Sequence, residues 1–378
     1  MLSDSKKLAL VLALFFVILD LLAAAPAAGE ELQVSAKAAI LMDRDSGRVL
    51  WRKNEHQRLP MASVTKIMTA IIALEEGREE DLVTVSKEAA QTGGSSIWLE
   101  EGEKKTLEEL VYGLMLRSGN DAAVAIAEHL AGSVKKFSFL MNRKAREIGA
   151  MNTNFINPHG LPDEEHYSTA YDLGLISVYA MQNPRFREIV ATPGRTISWP
   201  GQPWERYLGN QNRLLEIYPG GDGIKTGWTT AAGRCFAGSA TRDGWQLVTV
   251  VLNAPQMWED AMLLLDYGFN TFKREKMLER GRPVITARVN RGRAAKVSLV
   301  PGRDGYLPLQ EGEKERVRCR FQIQESYDAP LKKGEKLGEV QLFLDDEQLG
   351  TVDLLAGEDV PRISFLEQLR RLWVSILM

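Results

Sequence analysis

Pro60-Met61-Ala62-Ser63-Val64-Thr65-Lys66-Ile67-Met68-Thr69-Ala70-Ile71-Ile72-Ala73-Leu74 is the stretch from which the fold can be read outward. From Val64 its apolar residues keep helical spacing, so Ser63 falls at a helix start. Such a start carries backbone N–H groups without intrahelical partners and a dipole that favours a developing anion. Lys66 lies one turn on, which puts its amine on the same face as the Ser63 hydroxyl.

Strands are expected on both sides of this helix. Upstream, residues 38–42 and 48–51 flank the turn Asp43-Arg44-Asp45-Ser46-Gly47. Downstream, Thr106-Leu107-Glu108-Glu109 is a capping box opening a helix through Leu116, and a second helix follows Gly119 over 121–131. Ser118-Gly119-Asn120 is then a corner between two helices. Ser168, Thr169 and Asp172 have the spacing of a structural cap. The glycine-rich turn Gly220-Gly221-Asp222-Gly223 introduces a strand over 224–229 that carries Lys225. Strands over 235–240 and 245–252 and a closing helix over 257–272 complete an α+β core.

Beyond about residue 275 the texture changes. Short strand-like runs cover 284–289, 295–300, 315–324, 339–344 and 351–355, with Gly302, Gly305, Gly312, Gly334 and Gly350 between them. This predicts a small β-rich domain without a catalytic constellation, a spacer or interaction module.

The 378 residues suit two domains, and a net charge of −3 gives no electrostatic case for nucleic acid. Cys235 and Cys319 lie far apart and read as two unpaired, buried thiols. Lys6 and Lys7, an apolar run over 8–22 and small residues through Ala28 describe a secretory signal peptide. Pro361 can open a terminal helix whose apolar residues include Phe365, Leu366, Leu369, Leu372, Trp373 and Ile376, with Arg362, Arg370 and Arg371 on the other face. That pattern suits the membrane interface. The expected segments are a signal at 1–28, a catalytic domain at 29–274, a β-rich domain at 275–358 and an amphipathic helix at 359–378. An exported protein held at the outer face of the cytoplasmic membrane would result.

A serine hydroxyl needs a nearby base. Lys66 can be one if burial or a second cation lowers its pKa, and Lys225 can be that cation. Ser118 can relay a proton and Asn120 can bind a substrate amide. Lys225 and Thr226 suit a substrate carboxylate. The strand edge over 225–228 can pair with an extended peptide and offer a backbone N–H to an oxyanion. The other S-x-x-K copies, at 3–6 and 133–136, lack this setting. His56, His129, His159 and His166 form no H-E-x-x-H pair, and no G-x-S-x-G elbow, G-x-G-x-x-G or P-loop occurs. His159 and His166 read as ordinary hydrogen-bonded residues. No metal or cofactor is expected.

In order, Ser63-Val64-Thr65-Lys66, Ser118-Gly119-Asn120 and Lys225-Thr226-Gly227 are similar to the S-x-x-K, S-x-N, K-T-G set of penicillin-binding proteins and serine β-lactamases. With Gly93-Gly94-Ser95-Ser96, Asn157-Pro158-His159-Gly160-Leu161, His166-Tyr167-Ser168-Thr169-Ala170 and Ala329-Pro330-Leu331-Lys332-Lys333-Gly334, the chain resembles the low-molecular-weight penicillin-binding proteins that are D-alanyl-D-alanine carboxypeptidases. The resemblance implies a transpeptidase-like domain, an antiparallel sheet flanked by helices, followed by a small β-rich domain. It implies removal of the terminal D-alanine from peptidoglycan pentapeptide stems, and acylation by β-lactams. Ser63 would carry the acyl group and Lys66 would be the base. Ser118 and Asn120 would complete proton relay and binding. Lys225, Thr226 and Gly227 would hold the substrate end, and the N–H groups of Ser63 and Trp228 the oxyanion. Trp228 stands where some members have histidine.

Rival readings share these motifs. A class A β-lactamase would need an E-x-x-L-N-type loop, and the nearest match, Glu205 to Leu208, is followed by Gly209. A D,D-endopeptidase, a transpeptidase or a non-catalytic cell-wall scaffold are the others.

Overall fold

The computed structural model describes residues 32–364 and residue 367. The signal expected at 1–28 lies outside them, as do Phe365, Leu366, Leu369, Arg370, Arg371, Leu372, Trp373 and Ile376 of the expected tail helix.

Five strands form an antiparallel sheet: β1 (Ala38–Asp43), β2 (Val49–Lys53), β3 (Gly221–Thr229), β4 (Gly233–Arg242) and β5 (Trp245–Leu252), in the order β2-β1-β5-β4-β3. All eight residues of β5 are buried. A strand covered on both faces reads as a continuous apolar run, not an alternating one. Alternation along β1 sends side chains to opposite faces. Ile40 and Met42 lie against Gly174, and Leu41 lies against Gly268.

Six of the helices bear on the site: α1 (Lys66–Glu76), α2 (Leu107–Leu116), α3 (Asn120–Ala131), α4 (Val134–Ile148), α5 (Ala170–Ala180) and α6 (Met257–Thr271). Gly174 belongs to α5 and Gly268 to α6, so the sheet is sandwiched between these two helices. In α1 every residue from Lys66 to Ala73 is buried, which makes it the central helix of the helical half. Thr106 and Glu109 exchange both bonds of the expected capping box at the start of α2. Thr169 caps α5 by accepting from the Asp172 N–H at 3.0 Å.

The second core is built on a six-stranded sheet of residues 285–290, 296–301, 317–323, 326–328, 336–344 and 347–356. The strands at 285–290 and 326–328 run parallel and the other neighbours antiparallel. Leu299, Leu307, Val340 and Leu354 are among its buried residues. A separate two-stranded pair joins Lys273–Leu278 to Gly305–Leu309.

Two expectations are corrected. Cys319 is unpaired but exposed, because its strand pairs on one side only, at the sheet edge. Pro361 does not open a helix: Val360 and Arg362 still pair, with Leu331 and Gly292. Capping bonds come later, between Ser364 and Glu367. Among the described residues no helix is long and apolar enough to cross a membrane.

Candidate active site

Ser63 lies in a short 3-10 turn, Ala62–Thr65, which runs directly into α1. Ala62 has φ +48°, a region that residues with a Cβ occupy only under strain. Three contacts hold it there. Thr65 Oγ1 donates to the Ala62 carbonyl at 2.8 Å. His166 Nε2 lies 2.8 Å from the same hydroxyl. His166 Nδ1 accepts from the Ile156 N–H at 3.0 Å, which leaves Nε2 as the protonated nitrogen that donates to Thr65. The third contact is Gly160, at φ +89°, packed on the Ala62 carbonyl.

Lys66 is fully buried, and its Nζ has three oxygen neighbours: Ser63 Oγ at 3.0 Å, Asn120 Oδ1 at 2.7 Å and the His159 carbonyl at 2.7 Å. The Asn120 amide orientation is fixed because its Nδ2 donates to the Gly93 carbonyl at 2.7 Å. A neutral amine has two N–H groups and one lone pair. Asn120 Oδ1 and the His159 carbonyl can only accept, so they take the two N–H groups. The lone pair is left facing the Ser63 hydroxyl. Burial holds the Lys66 pKa well below the ordinary lysine range, helped by the Lys225 charge and opposed by Asp121. Removing an ammonium from water costs several kcal/mol, more than one carboxylate at a distance returns.

Lys225 is buried on β3, an edge strand of the sheet, and donates to the Thr226 carbonyl at 3.0 Å. Burial lowers its pKa to about 7. Gly227 packs on the nucleophile turn: a Cβ there would sit 2.9 Å from the Ser63 backbone nitrogen. Glycine is what lets the strand approach so closely. Trp228 follows with 65% of its surface exposed. A cavity of about 590 Å³ is lined by Ser63, Asn120, His159, Leu161, Trp228 and Ala231, among others.

Ser118 is buried two residues from Asn120 and, like Ala62, has positive φ, at +63°. Its hydroxyl makes no hydrogen bond to Lys66 or Lys225. The corner is tied down by Asp121, which accepts from Ser96 Oγ at 2.6 Å and from the N–H groups of Ile97 and Leu99, each at 3.1 Å. Asp121, Thr65, His159 and His166 are participants that the motifs did not single out. His159 and His166 are neutral, held down to about 3 and about 4, first by burial and also, for both, by the Lys66 charge. The repeated family segments around them were the available signal.

Residues 24–256 match the D-alanyl-D-alanine carboxypeptidase family of serine peptidases, and residues 272–362 match the C-terminal domain of penicillin-binding protein 5. The chain belongs to the D-alanyl-D-alanine carboxypeptidase family. It is 36% identical to the D-alanyl-D-alanine carboxypeptidase DacF of Bacillus subtilis over 90% of each chain. It is 33% identical to DacC of Escherichia coli over 91% of this chain and 88% of the relative. Penicillin binding protein 5 from Haemophilus influenzae superposes with a TM-score of 0.71 at 31% identity, covering 87% of this chain and 98% of that one. A peptidoglycan synthesis regulatory factor (PBP3) from Streptococcus pneumoniae gives 0.74 at 27% identity, covering 87% and 100%. The protein is thus a serine-type D-Ala-D-Ala carboxypeptidase. The family acts on peptidoglycan stems through an acyl-enzyme and is inhibited by β-lactams.

Proposed function

We propose that Ser63 is the nucleophile, Lys66 its base, Ser118 the proton relay and Asn120, Lys225, Thr226, Gly227 and Trp228 the binding groups of this carboxypeptidase. The lone pair that Lys66 directs at Ser63 Oγ carries the assignment. Lys66 takes the hydroxyl proton as Oγ bonds the carbonyl carbon of the penultimate D-alanine. The oxyanion rests on the backbone N–H groups of Ser63 and Trp228. When it collapses, the C–N bond breaks and the proton passes through Ser118 to the leaving amine. The terminal carboxylate holds Lys225 in its charged form. Water then hydrolyses the ester, with Lys66 again as base. In the free enzyme Ser118 is not yet bonded to either lysine, and the relay is completed when the substrate brings its amine.

The same reading divides the chain into a signal at 1–28, a catalytic domain at 29–274, a β-rich domain at 275–358 and a surface-seeking helix at 359–378. The protein is exported and held at the outer face of the membrane by that helix. The basic start and apolar run before Ala28 support the export, and the alternation of apolar residues with Arg370 and Arg371 supports the anchoring.

Labelled penicillin and mass spectrometry of a D-Ala-D-Ala pentapeptide test the site. Wild type binds the label and releases free D-alanine, and Ser63→Ala does neither while keeping its fold. Label retained in Ser63→Ala would place the nucleophile elsewhere. Deleting residues 361–378 releases the protein from membranes with activity intact. Unchanged retention would refute the anchor.

A further inference from the structure

The cavity at Ser63 does not end at Ala231. Pro162 and Ala231 line both it and a second cavity of about 480 Å³, whose other walls include Arg58, Asp163, Glu164 and Tyr167. What can reach this second cavity follows from the direction of the substrate, and here the argument rests on the roles proposed above for Ser63, Lys225 and Trp228. The terminal carboxylate lies at Lys225 and the scissile carbonyl at the N–H groups of Ser63 and Trp228. The peptide therefore runs antiparallel to β3, and its upstream residues lie toward Thr229, Thr230 and Ala231. The side chain one residue upstream of the attacked D-alanine arrives at the opening between the two cavities.

The charges of the second cavity are mixed. The Arg58 guanidinium lies 4.9 Å above the Tyr167 ring and donates one bond, at 3.1 Å, to Asn152 Oδ1. That leaves further N–H groups of its fork for a carboxylate. Asp163 accepts the Glu165 N–H at 2.9 Å through one oxygen and keeps the other, and Glu164 is exposed beside it. One guanidinium and two carboxylates in one cavity match a group that carries both an ammonium and a carboxylate. A lone amine would leave Arg58 without an anion, and an apolar side chain would satisfy none of the three.

We propose that this second cavity is a subsite for the zwitterionic head of a diaminopimelate-type side chain, on the residue directly upstream of the attacked D-alanine.

The test uses the full chain and two soluble pentapeptides that differ only in that residue, meso-diaminopimelate or lysine. Release of D-alanine is followed together with protection of Ser63 from labelled penicillin, which is too short to enter the second cavity. Wild type should favour the diaminopimelate peptide at least tenfold in kcat/KM. Arg58→Gln, which can keep the Asn152 bond, should lose that preference with penicillin acylation and lysine-peptide turnover within twofold of wild type. Asp163→Asn with Glu164→Gln should slow both peptides and leave penicillin acylation unchanged. Equal rates for the two peptides in wild type, or an equal loss on both in Arg58→Gln, would overturn the subsite. Selective protection by the diaminopimelate peptide without any D-alanine release would sustain the subsite and refute the assigned reaction.

Discussion

Gly160 sits so close to Ala62 that a Cβ added to it would lie 1.9 Å from the Ala62 carbonyl oxygen. The loop that carries His159 is thereby seated on the turn that carries Ser63, and the same loop supplies the carbonyl that binds Lys66. Nucleophile and base are aligned by one backbone contact.

Gly160→Ala should separate them. Its φ of +89° already disfavours any side chain, and the methyl group meets backbone that cannot rotate away. Displacing Ser63 by about 1 Å is expected to slow penicillin acylation about 10²-fold, and stability should fall by about 1–3 kcal/mol. Stopped-flow acylation and urea unfolding measure the two effects. Acylation at the wild-type rate would show that the contact positions nothing.

The two lysines predict the pH profile. Lys66 must be neutral to act, so kcat/KM falls on the acid side, at a pH well below the ordinary lysine range. Lys225 must be charged to bind the carboxylate, so kcat/KM also falls above about 7 as the free enzyme loses that proton. A bound carboxylate holds the proton on Lys225, so kcat should lack this alkaline limb. Lys225→Arg should remove the limb from kcat/KM as well. Its persistence there would assign the titration to another group.

His159 and His166 predict acid sensitivity of the fold. Their folded pKa values, about 3 and about 4, lie below the ordinary histidine value, so between that value and about 4 the unfolded chain binds more protons. Stability is therefore retained above about pH 6.5 and lost as pH falls, by up to about 1.4 kcal/mol per unit for each histidine. Urea melts at several pH values should show this slope, reduced in a His159→Asn, His166→Gln double variant. An equal slope in the double variant would point to other groups.

Arg48 predicts the coupling of the two cores. Its guanidinium makes paired bonds of 2.7 and 2.8 Å to Glu313, and both side chains are mostly buried. Arg274 adds a 2.8 Å bond to Asp45 and lies 3.8 Å above the Tyr306 ring. Arg48→Ala leaves Glu313 without its partner, at a cost of about 2–4 kcal/mol. Calorimetry should then resolve two transitions where wild type shows one, with penicillin acylation unchanged. A single transition in the variant would show that other contacts couple the cores.

The parts of the fold legible in the sequence were those with local causes. The Thr106 and Glu109 cap, the run into α1 and the glycine turn before β3 each depend on residues within a few positions. The strands at 273–278, 305–309 and 326–328 were not legible. Lys273-Arg274-Glu275-Lys276 carries charge where a strand signal needs alternation, and its pairing partner lies some thirty residues on. Residues 326–328 form a three-residue parallel addition whose ladder is with 288–290. Cys319 looked buried by residue type, and only its place at a sheet edge exposes it.

The site divides in the same way. Sequence alone determined which side chains bring chemistry, Ser63, Lys66, Ser118, Asn120 and Lys225, because hydroxyl, amine and amide are properties of residue types and their order is written in the chain. Tertiary structure alone decided what state those groups are in. The pKa of Lys66 is lowered by burial and by Lys225, 159 positions away, and its lone pair is aimed by oxygens from Asn120 and His159. Desolvation and hydrogen-bond direction depend on neighbours in space, and no spacing along the chain encodes them.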